Sequence, residues 1–471
     1  MRAKLGSRSG VAFVGALTSQ GYITHSANLV INGQGFNGTG VTVGVLSDSA
    51  TPARIAALVA SGDLPANVQV LPGQAGSGSD EGTAMMEIVH DMAPGANLIF
   101  ATAFSGVASF ASNIIALQQA GCKIIVDDVT YFNEGVFQDG PIARAVNQVV
   151  AAGTTYFSSA GNSGNVTFGT SGTWEGDFVS GGPIGGPIAT AGETGLVHNF
   201  GTVASPQTYD SLTSTSSFIS LKWSDPLGAS ANDYDLFILD STGATLKGFS
   251  AAAQTGTQDP YEAIGQGSNC GTPTASGYCP AVGDRIVVVL FSGATRALHI
   301  DTNRARLSIA TTGATFGHNG GANSLTTAAT FWNSARTGTR PFTGSANPTE
   351  VFSSDGPRQI FYTPAGLPIT PGNVLFGTGG GTTLQKPDLT AADGGSTKTP
   401  GFNPFFGTSA AAPHAAGIAA LVLQAKPAYT PAQVATAMTS GSLDTMAPGP
   451  DRDSGYGIVM ATLAVQYALN H

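Results

Sequence analysis

The sequence predicts an α/β protein, a parallel sheet flanked by helices with an inserted all-β sandwich domain. Three observations predict it. Before residue 197 and again after 314, short apolar runs such as Val41-Thr42-Val43-Gly44-Val45-Leu46 alternate with helical stretches. Such runs are strands buried on both faces of a parallel sheet. Between 198 and 313 this rhythm stops, and short strands separated by Gly/Ser/Thr-rich turns replace it, which is the pattern of a sandwich. Finally, Ser409 is followed by Ala411, Ala412, Ala415, Ala416, Gly417, Ala419 and Ala420 on all faces, and a helix without a polar face is a buried one. The chain divides accordingly into an N-terminal extension (1–25), a first part of the main domain (26–197), the inserted sandwich (198–313) and a second part (314–471).

Composition bounds the function. With 471 residues the chain buries a large core. Charged residues are 10% and glycines number 64, which suggests a compact, loop-rich extracellular protein. Secretion is the expectation, with Arg2, Lys4 and Arg8 before the apolar run 11–17 as a weak signal-peptide look-alike. The net charge of −10 leaves no basic surface for nucleic acid. No apolar run reaches the roughly 18 residues of a membrane helix. Cys270 and Cys279 flank a Gly/Pro/Ser loop and are expected to close a small disulfide. Cys122, before an apolar strand, is expected to be a buried free thiol. No cofactor and no metal are expected, and the protein is expected to act as a monomer.

The strand 41–46 ends at Ser47-Asp48-Ser49. Ligands bind beyond the carboxyl ends of such strands, so Asp48 is placed for chemistry; it could equally cap the helix 52–60. In Asp80-Glu81-Gly82-Thr83-Ala84-Met85-Met86, helical spacing begins near Glu81, and Pro94-Gly95 stops the helix before a strand at 97–101. A helix at 108–119 leads to a strand at 123–131 that carries Asp127 and Asp128. A helix at 142–152 leads to a strand at 154–159 and the turn Ala160-Gly161-Asn162-Ser163-Gly164. In the sandwich, the acids of Asn232-Asp233-Tyr234-Asp235 lack the spacing of a calcium loop. Thr430-Pro431-Ala432-Gln433 is a capping box that opens the helix after the serine helix.

Gly407-Thr408-Ser409-Ala410-Ala411-Ala412-Pro413-His414 closely resembles the nucleophile signature of the subtilases, the subtilisin-like serine peptidases. The Gly-Thr-Gly-Val-x-Val spelling before Asp48 resembles their aspartate strand, and Ala160 to Gly164 resembles the turn whose asparagine donates to the oxyanion. The resemblance covers roughly residues 25–197 and 314–465 and implies a subtilisin-like fold and a protein or peptide substrate. It implies Ser409 as nucleophile, Asn162 as oxyanion donor, and Asp128, Val129 and Gly161 along the bound peptide. One residue departs from the pattern. Where a subtilase has its catalytic histidine, this chain has Glu81. His90 lies on the opposite helix face and His414 is at a poor angle to Ser409, so Glu81 is the candidate base. That is similar to the sedolisins, acid-active relatives with a Ser-Glu-Asp arrangement. Their aspartate lies four residues after the glutamate, where this chain has Met85, so the expected partner is Asp48. Asp128 could be a third carboxylate coupled to Glu81, a polar pocket wall, or a structural cap. Two neighbouring carboxyls resist ionising together, so an acid pH optimum is expected. The competing expectations are an inactive peptide-binding relative and a non-peptidase hydrolase or acyl transferase using the same serine.

Overall fold

The computed structural model describes residues 15–265 and 278–471. Its main sheet has nine strands. From one edge they are Gln69–Val70, Asn97–Thr102, Thr42–Ser47, Ile124–Asp127, Thr155–Ser159, Ser324–Phe331, Leu389–Asp393, Ile458–Val459 and Ser442–Leu443. Neighbours run parallel except the last two. The chain winds outward from Thr42–Ser47 to one side, then returns to build the other. The winding therefore reverses between Thr42–Ser47 and Ile124–Asp127, where a crevice opens at the carboxyl ends. Leu46 is in register with Asp127, so Asp128 stands beside Ser47, one residue before Asp48, at that crevice.

Two helices position the chemistry. Thr408–Ala425 is buried from Thr408 through Leu423, as its apolar composition requires. The helix Glu81–Met92 packs along it. A Cβ added at Gly417 would fall 2.5 Å from the Met92 Cβ, which is why small residues line this contact. The helices Pro52–Ser61, Val107–Gln119, Pro141–Ala151 and Pro431–Ser440 lie where the periodicity places them, and Thr430 and Gln433 form the expected capping box.

The segment set apart as an N-terminal extension is partly built into the core. Ser19 and His25 are buried. The His25 Nε2 accepts from the Ala392 N–H at 2.9 Å, and its Nδ1 meets the Val459 carbonyl at 2.6 Å. Short, weakly periodic helical turns hid this from sequence reasoning.

The sandwich consists of a four-stranded and a six-stranded sheet. Residues of both, including Trp223, Ile300, Tyr234, Leu236 and Val288, meet in one buried cluster. It starts earlier than the boundary at 198: Thr173–Asp177 pairs with Ala297–Asp301, and Leu196–His198 pairs with Arg285–Ser292. These strands sit in a Gly/Pro-rich stretch whose alternation is too short to read. Cys122 is a buried free thiol, and burial pushes it up to about 12. The expected Cys270–Cys279 bridge involves Cys270, which lies outside the described residues. Among the described residues no helix is long and apolar enough to cross a membrane, and no cluster of three or more His, Cys, Asp or Glu could hold a metal ion.

Candidate active site

Asp48 follows its strand directly and is buried. Its Oδ1 accepts from the Glu81 N–H at 3.0 Å, from the Ser49 N–H and from the Ser49 hydroxyl at 3.2 Å. Its Oδ2 accepts from the Ser79 N–H at 2.5 Å and the Ser79 hydroxyl at 2.6 Å. The carboxylate thus sits at the positive end of the Glu81 helix. Thr51, not Asp48, caps the helix Pro52–Ser61. Asp80 precedes Glu81 in the left-handed conformation (φ 63°), which an aspartate tolerates. A Cβ at Gly78 would lie 2.4 Å from the Asp48 Oδ2, so only glycine lets the loop close over that carboxylate.

Asp48 therefore holds the backbone of Glu81, whereas the carboxyl of Glu81 finds other partners. It meets Ser409 and Asp128 at the rim of the same cavity, where Ser409 favours its charged form and its own charge raises Asp128. Both expected carboxylates act on Glu81: the charge of Asp48 raises it, and Asp128 lines the same cavity beside it. The Ser47 hydroxyl donates to the Asp128 Oδ2 at 3.2 Å, while the Asp128 Oδ1 is buried and meets no ordinary donor. Two carboxylates only accept hydrogen bonds, so a Glu81–Asp128 bond requires a shared proton. Burial raises Glu81 above the usual carboxylate range, and the charge of Asp48 adds to this. Asp128 is pushed well above that range by burial and by the charge of Glu81.

Ser409 lies in the first turn of its helix and is buried at 8% exposure. A backbone N–H there has no helical partner. Beside it, the Asn162 Oδ1 accepts from the Thr408 N–H at 3.1 Å and the Thr408 hydroxyl at 3.0 Å. Those bonds fix the amide orientation and leave the Asn162 Nδ2 as its donor side. Gly407 adopts φ 111°. A Cβ there would come within 3.4 Å of that Nδ2.

A cavity of about 430 Å³ opens over these groups and is lined by Glu81, Asp128, Val129, Gly161, Asn162 and Ser409 among others. Asp48 lies behind it. Among the described residues no histidine lines the cavity. The His414 Nε2 meets the Ser19 hydroxyl at 2.8 Å and its Nδ1 meets the Ala410 carbonyl at 2.7 Å, away from Ser409. Sequence reasoning gave no role to Ser47, Ser79, Gly78 or Thr408, although the first three flank the quoted motifs. It also missed Asn319, whose amide donates to the Val129 and Ser159 carbonyls, both at 3.0 Å, and so ties two cavity walls together. Nor did it find Arg304, which reaches the cavity from the sandwich; no local pattern marks either residue.

The sequence model of the Subtilase family matches residues 71–457. The chain belongs to this family, with a subtilisin-like mixed α/β fold and extra antiparallel sheets, and it is a serine-type peptidase by that membership. The matched stretch contains Glu81, Asn162 and Ser409 but begins after Asp48. Among solved structures, a lanthipeptide protease is similar at 13% identity and TM-score 0.41, over 95% of this chain and 94% of that one. MycP1 from the ESX-1 type VII secretion system is similar at 14% identity and TM-score 0.41, over 98% and 90%. MycP1 from Mycobacterium smegmatis gives 14% identity and TM-score 0.38, over 97% and 86%. No curated protein matches the sequence.

Proposed function

We propose that the protein is an endopeptidase that works through a Ser409 acyl-enzyme, with the Glu81–Asp128 carboxyl pair as its base. The observation that carries this is the convergence of Glu81, Asp128, Asn162 and Ser409 on one cavity, with the charge of Glu81 raising Asp128. Ser409 attacks the scissile carbonyl as Glu81 takes its proton, and Glu81 then returns that proton to the leaving amine. Asp128 shares a proton with Glu81 and holds its carboxyl toward the serine. Asp48 fixes the helix end that carries Glu81. The Asn162 Nδ2 and the Ser409 N–H receive the developing oxyanion.

The sedolisin-like feature is the glutamate base; its acid partner comes here from a sheet strand instead of the same helix. The working state carries one proton on the pair. At low pH a second proton blocks the base, and at high pH loss of the shared proton leaves two repelling charges. Activity follows a bell with its maximum in acid.

The test is peptide hydrolysis from pH 2 to 9 with wild type, Ser409→Ala and Glu81→Gln. Serine-dependent cleavage strongest in acid, with kcat reduced about 10²–10⁴-fold in Glu81→Gln and KM little changed, supports the reading. A maximum near pH 8, or full activity in Glu81→Gln, sinks it.

A further inference from the structure

Arg304 comes from the sandwich, on the turn after the strand Ala297–Asp301, and lines the cavity that holds Ser409. Asn303 and Arg304 both adopt positive φ, 47° and 71°. Two successive non-glycine residues avoid that region and persist there only where the surroundings over-determine them. Here they do. The Asp301 carboxylate accepts from the Asn303 N–H at 2.8 Å, and the Asn303 amide donates to the Ser217 hydroxyl at 2.8 Å. The Thr302 hydroxyl bonds the Gly172 and Ala305 carbonyls, both at 2.8 Å. The turn is clamped on both sides of the arginine.

Arg304 itself is exposed. Among the described residues it has no ion pair, in contrast to Arg54, Arg296 and Arg358, which pair with Asp80, Asp225 and Asp139. Among the described residues it is the one cation that lines the cavity. Its charge reaches Glu81 without a salt bridge to it. Phe132 and Phe316 line the same cavity and supply apolar wall suited to the methylene stem of a bound side chain.

We propose that Arg304 is a specificity-determining residue that binds a carboxylate of the peptide, an Asp or Glu side chain, within the catalytic cavity. The planar guanidinium fork matches a carboxylate with two parallel hydrogen bonds. The proposal rests on the peptidase reading for its substrate class, and its test separates the two. The probes are fluorescent peptides with an amidated C-terminus that differ only in one internal Glu or Gln, and the same Gln peptide with a free C-terminal carboxylate.

Binding is measured at pH 6 on the Ser409→Ala protein, where cleavage plays no part. The Glu peptide binds about tenfold tighter than the Gln peptide, a margin expected of a charge-assisted pair. Adding Arg304→Ala abolishes the difference, and adding Arg304→Lys restores part of it. With Ser409 intact, Arg304→Ala brings the ratio of kcat/KM for the Glu peptide over the Gln peptide down to about one. Equal binding of both peptides, or an equal loss for both on removal of Arg304, overturns the proposal. An Arg304 effect confined to the free C-terminal carboxylate overturns the side-chain assignment. Serine-dependent cleavage without a Glu preference leaves the catalytic reading standing and removes this one. A Glu preference in binding without cleavage at any pH does the reverse.

Discussion

A carboxylate is a weak base for a serine hydroxyl until its surroundings raise its proton affinity. At Glu81 burial does this, and Asp128 beside it adds a second titration that belongs to the pair. Asp128→Asn separates the contributions. The asparagine amide still donates to Glu81, but the shared proton is gone. The bell should then lose its alkaline limb and become a single rise, with kcat at the optimum reduced about tenfold or more. An unchanged bell would show that Asp128 does not share the catalytic proton. The sequence already carried Ser409, Asn162 and the substitution at Glu81, because each lies in a contiguous motif. It could not carry the choice between Asp48 and Asp128 as partner. Which carboxyls meet Glu81 depends on the register of two strands 80 residues apart, which is not a local property.

At the scale of elements, the loop 76–80 decides where Glu81 points. Gly78 passes over the Asp48 carboxylate at a distance that no side chain fits, and that carboxylate is held by five donors, so it cannot swing away cheaply. Gly78→Ala is expected to displace Asp48 and tilt the start of the Glu81 helix. kcat/KM should fall about 10²-fold, the usual effect of an ångström-scale misplacement, while circular dichroism stays native. Full activity in this variant would mean that Asp48 is free to move without consequence. Long periodic helices with caps were legible from the sequence to within a residue or two. The strands at 173–198 were not, since an edge strand of Gly and Pro is defined by its partner more than by its own residues.

At the scale of the molecule, many buried acids favour their protonated form. Burial moves Glu87 and Asp355 to about 7 and Asp393 to about 8. His318, flanked by Glu134 at 2.5 Å and Asp127 at 3.1 Å, is pushed up to about 10 by those charges against its burial. Each folded value exceeds the unfolded one, so the folded state holds more protons and loses stability as pH rises through these values. His25, His198 and His414, moved by burial to about 3, 3 and 4, act in the opposite sense, but only below about 6.5. Only Lys222, lowered by burial to about 8, begins to oppose the trend at its upper end. The Tm should therefore fall between pH 6.5 and 8. Calorimetry that shows a rise over that interval would contradict these assignments.

The sandwich interrupts the main sheet between two strands that lie side by side. Tyr156 is in register with Ser324, yet about 170 residues separate them. During synthesis the first five strands emerge with an open, apolar edge that waits for the sixth. Closing so long a loop in a flexible chain is slow and leaves that edge free to aggregate. The insertion shortens the wait, because its own ends meet: the Ser171 hydroxyl donates to the Thr311 carbonyl at 2.9 Å. Once the sandwich has folded, the effective gap in the sheet is about a dozen residues at either side of that contact, and the loop-closure cost shrinks with it. The same domain that reaches into the catalytic cavity with Arg304 thus serves, in the order of folding, as the clasp that lets the two halves of the sheet find each other.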